Sequence, residues 1–236
     1  MDITKFEPII IDFKEIRKLR QEKNNNDTLL SLMSGKKFCG NKEEFKRLLE
    51  YTCLTESECR KKCLEDIIFA KIVSMNCSIQ SSRQGSKDEN FVLDICNRTS
   101  NIFGITIENI CNTEKIPTKN GLIISKKQML KLNINKNECL KSFDGIIKKK
   151  DIIIGYIFSK IVYNYGGHQD NVFEEAFRMG EWISKFGIKD VIYVILIDTN
   201  LDKYINVLKD KYKHLINLWI VNHVEFQQKI MISFNK

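Results

Sequence analysis

The sequence lacks the features that would place the chain in a membrane or outside the cell. It has no apolar run near the roughly twenty residues that a transmembrane helix needs. It shows no targeting sequence. Its eight cysteines are scattered through 236 residues, whereas disulfide frameworks are typical of short secreted chains. We therefore expect a soluble cytoplasmic protein with reduced thiols and no membrane partner.

Complete metal and DNA-reading motifs are also missing. Cys53, Cys59 and Cys63 lie near one another in a helical segment, and the last two are one turn apart. No CxxC pair and no nearby histidine completes a tetrahedral set, so a structural zinc is disfavoured. No helix-turn-helix signature is clear either.

The length and the charge leave a broad class open. A chain of 236 residues with 43% hydrophobic residues suits one α/β domain, or one domain with an appendage. The net charge of +8 fits a polyanionic partner, although ordinary solubility explains it equally well. We predict a helical N-terminal region, residues 1–77, packed on a continuous core at residues 78–236.

The N-terminal region shows helical spacing and cap signals. Polar residues 24–27 are predicted to break the first helix. Thr55 and Glu58 form a capping box for the last one, which is predicted to run through Ala70. The predicted helices are Asp12–Lys23, Thr28–Met33, one that starts after Asn41, and one that starts after Thr55.

The stretch Ser142–Trp182 organises the core. It predicts a short strand that ends at Asp144, a tight basic turn at residues 148–151, and an apolar strand, Ile152–Val162. Lys160 lies inside that apolar strand. A buried ammonium needs a partner, and the hairpin brings Asp144 beside it.

A glycine-rich loop and a helix follow. Asp170 or Asn171 is the predicted N-cap of a helix that runs to Lys185 and carries Glu174 and Glu175. Charged positions on one face of this helix also fit an exposed stripe of ion pairs.

The remainder alternates strand and helix. Val191–Ile197 is near-continuously apolar, which predicts a central strand parallel to a neighbour. Helix 201–212, strand 218–222 and helix 223–230 follow it. The predicted fold class is α/β, with a mixed central sheet flanked by helices.

Two carboxylates beside a lysine suit phosphodiester hydrolysis, because carboxylates hold a divalent cation and an ammonium orients water or offsets charge. The arrangement resembles the PD-(D/E)xK nuclease fold of type II restriction endonucleases. Asp144 matches the first acid and Lys160 the motif lysine. Phe143 stands at the usual proline, and Phe158 stands at the second acid. Some members of that superfamily take the second acid from the following helix, which points to Glu174 or Glu175.

The resemblance implies a function and a set of partners. It implies Mg²⁺-dependent cleavage of double-stranded DNA to 5′-phosphate and 3′-hydroxyl ends, by a homodimer whose genetic partner is a DNA methyltransferase. Asp144, Lys160 and Glu174 are the expected catalytic residues. The expected metal ligands are Asp144, Glu174 or Glu175, and Glu89 on an early core helix. For Glu89, a solvated loop with a helix cap is an equal alternative.

Further residues are expected at the DNA. Glutamine and asparagine can read adenine in the major groove, and basic side chains contact phosphate. Lys119 lies in a basic stretch, residues 113–127, that is either a DNA-contacting loop or hairpin or a plain surface loop. His168 as general base is a lesser option. The expected DNA-binding residues are Arg83, Gln84, Lys119, His168, Gln169, Asp170, Asn171 and Arg178.

Two other functions stay open. One is a PD-(D/E)xK repair nuclease or junction resolvase. The other is a non-catalytic DNA-binding protein on a decayed nuclease fold, which Phe158 at the acid position makes conceivable.

Overall fold

The computed structural model of the protein describes residues 6–81, 84–162, 169–199 and 202–235. The chain forms two compact units. The helical unit is Ile11–Gly85, and the core unit is Met1–Ile10 together with Ser86–Lys236. The boundary thus lies between Gly85 and Ser86, whereas the sequence pattern placed it after residue 77.

Cap residues fix where the helices of the helical unit begin. The side chains of Asp12 and Asn41 accept hydrogen bonds from backbone N–H groups of the first turns of α1 and α2. Thr55 and Glu58 form the predicted capping box at α3. The helices are α1 Phe13–Met33, α2 Lys42–Thr52, α3 Glu56–Glu65 and α4 Ile67–Cys77.

Two predicted helix ends in this unit are wrong. The polar residues 24–27 do not break α1, because their side chains bond elsewhere in the unit: Asn25 accepts from Ser78 Oγ at 2.6 Å and Asn24 donates to the Ile79 carbonyl at 2.7 Å. Such bonds remove the competition with the backbone that favours turns. The last predicted helix is instead two, since Asp66 ends α3 and caps α4.

The core unit is built on a five-stranded sheet with the order β1-β4-β5-β6-β7. The β1–β4 and β4–β5 pairs are antiparallel, and the β5–β6 and β6–β7 pairs are parallel. The predicted α/β class with a mixed central sheet and a helical N-terminal region is confirmed. The strands are β1 Ile105–Asn109, β2 Ile116–Pro117, β3 Ile123–Ile124, β4 Gly145–Lys149, β5 Ile152–Val162, β6 Ile192–Thr199 and β7 Leu218–Val221. The helices are α5 Gly85–Asn101, α6 Lys126–Lys131, α7 Gln169–Phe186, α8 Asp202–Tyr212 and α9 His223–Phe234.

Strand predictions succeed where the apolar run is long. β5 has the predicted bounds, and β6 is parallel to both neighbours. The predicted strand ending at Asp144 is wrong, because β4 starts after that residue. Strand β1 starts only at Ile105, because α5 continues to Asn101 and Gly104 turns the chain with φ +69°.

Helix α7 is fixed by packing on the sheet and on α8. Trp182 is buried, and its indole N–H donates to the Thr118 carbonyl at 2.7 Å. Gly180 lies directly against the ring of Tyr212, where a Cβ would collide. These contacts set the height of α7 over the sheet, and with it the position of the acids in its first half.

The described residues include no helix of the length and apolarity that crossing a membrane requires.

Candidate active site

Asp144 immediately precedes β4 and continues its pairing with β5. Its backbone N–H donates to the Ile157 carbonyl at 2.8 Å. Its carboxylate Oδ2 accepts the backbone N–H of Ser159, also at 2.8 Å. The carboxylate therefore accepts a backbone N–H of β5 that the main chain of a longer β4 would have bonded. This hydrogen bond holds the carboxylate beside β5.

Lys160 extends from β5 to the same place. Its Nζ lies 3.8 Å from Asp144 Oδ2, and its side chain is only 15% exposed. The ammonium also lies over the ring of Phe158, 4.8 Å from the centroid. Alternation along a strand puts residues 158 and 160 on one face, so the aromatic residue at the acid position forms an apolar floor under the lysine.

Glu89 reaches the site from α5. Its Oε1 accepts from Lys160 Nζ at 3.2 Å, and its side chain is 21% exposed. One lysine thus bridges two carboxylates that come from a helix and from the start of a strand, 55 residues apart in sequence (144 − 89). The predicted helical acid and the predicted strand acid lie together.

The two neighbouring acids of α7 have different surroundings. Glu175 is 28% exposed and lies 3.6 Å from Lys141 Nζ, and its charge acts on both Asp144 and Lys160. Glu174 is 58% exposed and pairs with Arg178 one turn along the helix. Successive helical residues point about 100° apart. The structure therefore brings Glu175 towards the site and leaves Glu174 in the exposed ion pair.

Burial and an excess of negative charge determine the pKa values of the charged groups in the site. Burial raises the pKa of Asp144 and of Glu89, and the attraction of Lys160 only partly offsets this. Burial acts to lower the pKa of Lys160, but the carboxylates of Asp144, Glu89 and Glu175 together outweigh it and the pKa is raised. Lys160 therefore stays positively charged, and its charge does not fully balance the negative charge of the surrounding carboxylates.

The donor set fits Mg²⁺ in its chemistry. Carboxylate oxygens are hard ligands, and Mg²⁺ commonly takes one or two of them together with water and substrate phosphate. The raised pKa values of Asp144 and Glu89 mean that added positive charge would be favourable there. Within residues 6–81, 84–162, 169–199 and 202–235, no three His, Cys, Asp or Glu side chains stand close enough to hold a metal ion as they are arranged.

The other predicted contact residues are scattered. Gln84 precedes α5 with a partly buried side chain, and Lys119 is exposed in the β2–β3 turn. Asn171 and Arg178 are exposed on α7. Gln169 and Asp170 lie in the first turn of α7, so neither Asp170 nor Asn171 is its N-cap as predicted. Arg83, His168 and the side chains of Gln169 and Asp170 lie outside the described residues.

Sequence reasoning missed Lys141 beside Glu175. A lysine three residues before Asp144 was visible in the sequence, but a loop pattern does not say where its side chain points. Asp198 and His223 are both buried, and Asp198 Oδ1 lies 2.6 Å from His223 Nδ1.

A separate cleft of about 460 Å³ lies along β7, between α8 and α9. Lys209 in its wall is bonded to Glu225 at 2.6 Å. Lysines line this cleft, and the acid in its lining, Glu225, is already paired with Lys209. We therefore place the candidate active site at Asp144, Lys160 and Glu89.

Comparison with known proteins gave no match, either to a model of a protein family or to a curated protein.

Proposed function

We propose that the protein is a Mg²⁺-dependent endonuclease that cleaves double-stranded DNA, and specifically a type II restriction endonuclease. The observation that carries the proposal is the convergence of two carboxylates on one partly buried lysine, at 3.2 and 3.8 Å. Their arrangement on α5, before β4 and in β5 agrees with the resemblance of Asp144 and Lys160 to the PD-(D/E)xK motif.

Asp144, Glu89 and Glu175 would hold the metal ion. When bound, Mg²⁺ acidifies water and polarises a phosphate oxygen. Asp144 is oriented for this by the Ser159 N–H. Glu175 would serve as the second acid, because Phe158 occupies the motif position where that acid usually stands.

Lys160 positions the attacking water and offsets charge that builds on the phosphate. Its raised pKa keeps it protonated at neutral pH, so it acts as a hydrogen-bond donor and a fixed charge rather than as a general base. The water then attacks phosphorus in line with the 3′ oxygen and gives up its proton to solvent, the P–O3′ bond breaks, and the departing 3′ oxygen takes a proton from solvent, which leaves 3′-hydroxyl and 5′-phosphate ends.

DNA binding would rest on the basic charge of the chain and on exposed residues near α7. Lys119, Asn171 and Arg178 are exposed, and they can approach a duplex without rearrangement of the core. A homodimer would present two such sites to a symmetric sequence.

Digestion of a phage genome with Mg²⁺ tests the proposal directly. Wild-type protein is expected to give a fixed set of fragments, and Lys160→Ala is expected to lose at least about a hundredfold in cleavage rate. Binding of the same DNA in Ca²⁺ should persist in this variant, because Lys160 is only 15% exposed.

Lys148→Ala is the matched control. Lys148 lies in the same sheet and pairs with Glu108 at 2.7 Å, away from the proposed acids. This variant should cut as wild type does. Absence of any cleavage by wild type, with any divalent cation and on any DNA, would contradict the proposal.

The non-catalytic alternative draws on one observation. Phe158 is fully buried beneath Lys160 and adds no ligand. DNA binding without metal-dependent cutting would favour it. Nicking that depends on DNA structure rather than on sequence would favour a repair nuclease or a junction resolvase.

A further inference from the structure

We propose that Lys141 is an internal counter-ion for the candidate metal site, which pairs with Glu175 in the metal-free protein and is displaced when a divalent cation binds. This inference rests on the proposed function, because it concerns the same acids. It adds a residue that neither the motif nor the catalytic roles require.

The first support is the position of Lys141. It lies three residues before Asp144 on the segment that leads into β4, and its Nζ is 3.6 Å from Glu175 Oε1. The pair therefore joins the loop before β4 to helix α7.

The second support is the reach of its charge. The field of Lys141 lowers the pKa of both Asp144 and Glu89, against the stronger effect of burial. Lys141 thus acts on all three acids that would hold the metal ion. Within the described part of the chain, it shares this property with Lys160.

The two lysines differ in their freedom to move. The Lys160 side chain is 15% exposed and is bound to two acids and an aromatic ring. The Lys141 side chain is 64% exposed and pairs with Glu175. An exposed lysine loses little when a single ion pair opens, so Lys141 is the cation that can leave.

Its departure would free Glu175 as an oxygen ligand. A divalent cation among these acids repels an ammonium nearby and compensates more negative charge than the ammonium did. In the described residues no three acids stand close enough together to hold a metal ion; Glu89 is paired with Lys160, and Glu175 with Lys141.

Titration calorimetry with Ca²⁺ and the full chain, without DNA, tests the inference. Lys141→Met keeps the length of the side chain and removes the competing charge. We expect Ca²⁺ to bind Lys141→Met about three- to tenfold more tightly than wild type. In a Glu175→Gln background the same substitution should tighten Ca²⁺ binding by a smaller factor, because the ion pair is already absent and only the effect of the Lys141 charge on Asp144 and Glu89 remains.

Lys148→Met is the matched control, and its Ca²⁺ affinity should equal that of wild type. Thermal unfolding with and without Ca²⁺ checks that each variant folds and gives a second measure of binding. Equal or weaker Ca²⁺ binding by Lys141→Met would overturn the inference while leaving the proposed nuclease intact. Failure of wild type to bind any divalent cation would overturn both.

Discussion

Glu174 and Glu175 are neighbours in sequence, yet their positions on the helix give them different partners. Both acids follow Lys160 at the sequence separation expected of a second acid that comes from the next helix, and the sequence does not choose between them. On α7, Glu175 lies beside Lys141 while Glu174 pairs with Arg178 in solvent. The choice follows from the rotation of α7 about its axis, which its packing sets.

Glu175→Gln and Glu174→Gln form a matched pair with the same chemical change one residue apart. We expect Glu175→Gln to lower Ca²⁺ affinity and cleavage at least about tenfold, since it removes a charged oxygen ligand. Glu174→Gln should change both by less than about twofold, since an exposed i,i+4 pair contributes little. Calorimetry and timed digests measure the two effects. The reverse ranking would move the second ligand to Glu174.

At Asp144 the proposed function conflicts with stability. Burial raises its pKa, so between the ordinary carboxyl pKa and the folded value the native state binds more protons than the unfolded state. Its contribution to stability therefore falls as the pH rises through that window. Asp144→Asn keeps an oxygen that can accept the Ser159 N–H and removes the charge.

Asp144→Asn is expected to raise the free energy of unfolding by about 1 kcal/mol at neutral pH while it abolishes cleavage. The gain should shrink as the pH falls and disappear at about pH 3, where the wild-type carboxyl is largely protonated in both states. Thermal unfolding at the two pH values measures this, with Glu108→Gln as the exposed-acid control. A loss of stability at neutral pH would contradict the assigned cause.

At the scale of elements, the contact between α7 and α8 holds Glu175, the proposed second acid, in place. Gly180 allows the ring of Tyr212 to lie against the α7 backbone, and the Tyr212 hydroxyl donates to the Phe177 carbonyl at 3.0 Å. A larger side chain at position 180 has to push the two helices apart. Glu175 lies on the same helix and would move with it.

Gly180→Val is therefore expected to lower stability by about 2 kcal/mol, or the melting temperature by about 6 °C. Ca²⁺ affinity should fall as well, although position 180 touches none of the acids. Ser184→Val, an exposed position on the same helix, controls for the β-branched side chain. Unchanged melting of Gly180→Val would show that α7 is not held in this way.

For the whole molecule, the net charge of +8 predicts binding to DNA that weakens with salt. We expect affinity for duplex DNA to fall at least about tenfold between 50 and 200 mM salt, because phosphate contacts release counterions. Fluorescence anisotropy with a short duplex measures this. Light scattering on the same samples should give twice the chain mass of 27.7 kDa, as the proposed homodimer requires. Salt-independent binding or a monomer would count against the proposed DNA-cleaving dimer.

The sequence by itself determined the elements whose signals are local. The long apolar run of β5 fixed its bounds, and the caps at Asn41 and Thr55 fixed two helix starts, because these signals lie within a few residues. It also singled out Lys160 and Asp144, since a lysine in an apolar strand requires an acid nearby, whereas Glu89 was expected only from the resemblance to restriction endonucleases.

Tertiary structure alone decided the rest. Asn24 and Asn25 remain helical because their side chains bond to residues more than fifty positions away. The rotation of α7 places Glu175 rather than Glu174 beside the site, and Lys141 reaches that acid across a loop. These outcomes depend on contacts between segments distant in sequence, and a local pattern carries no information about which distant groups will meet.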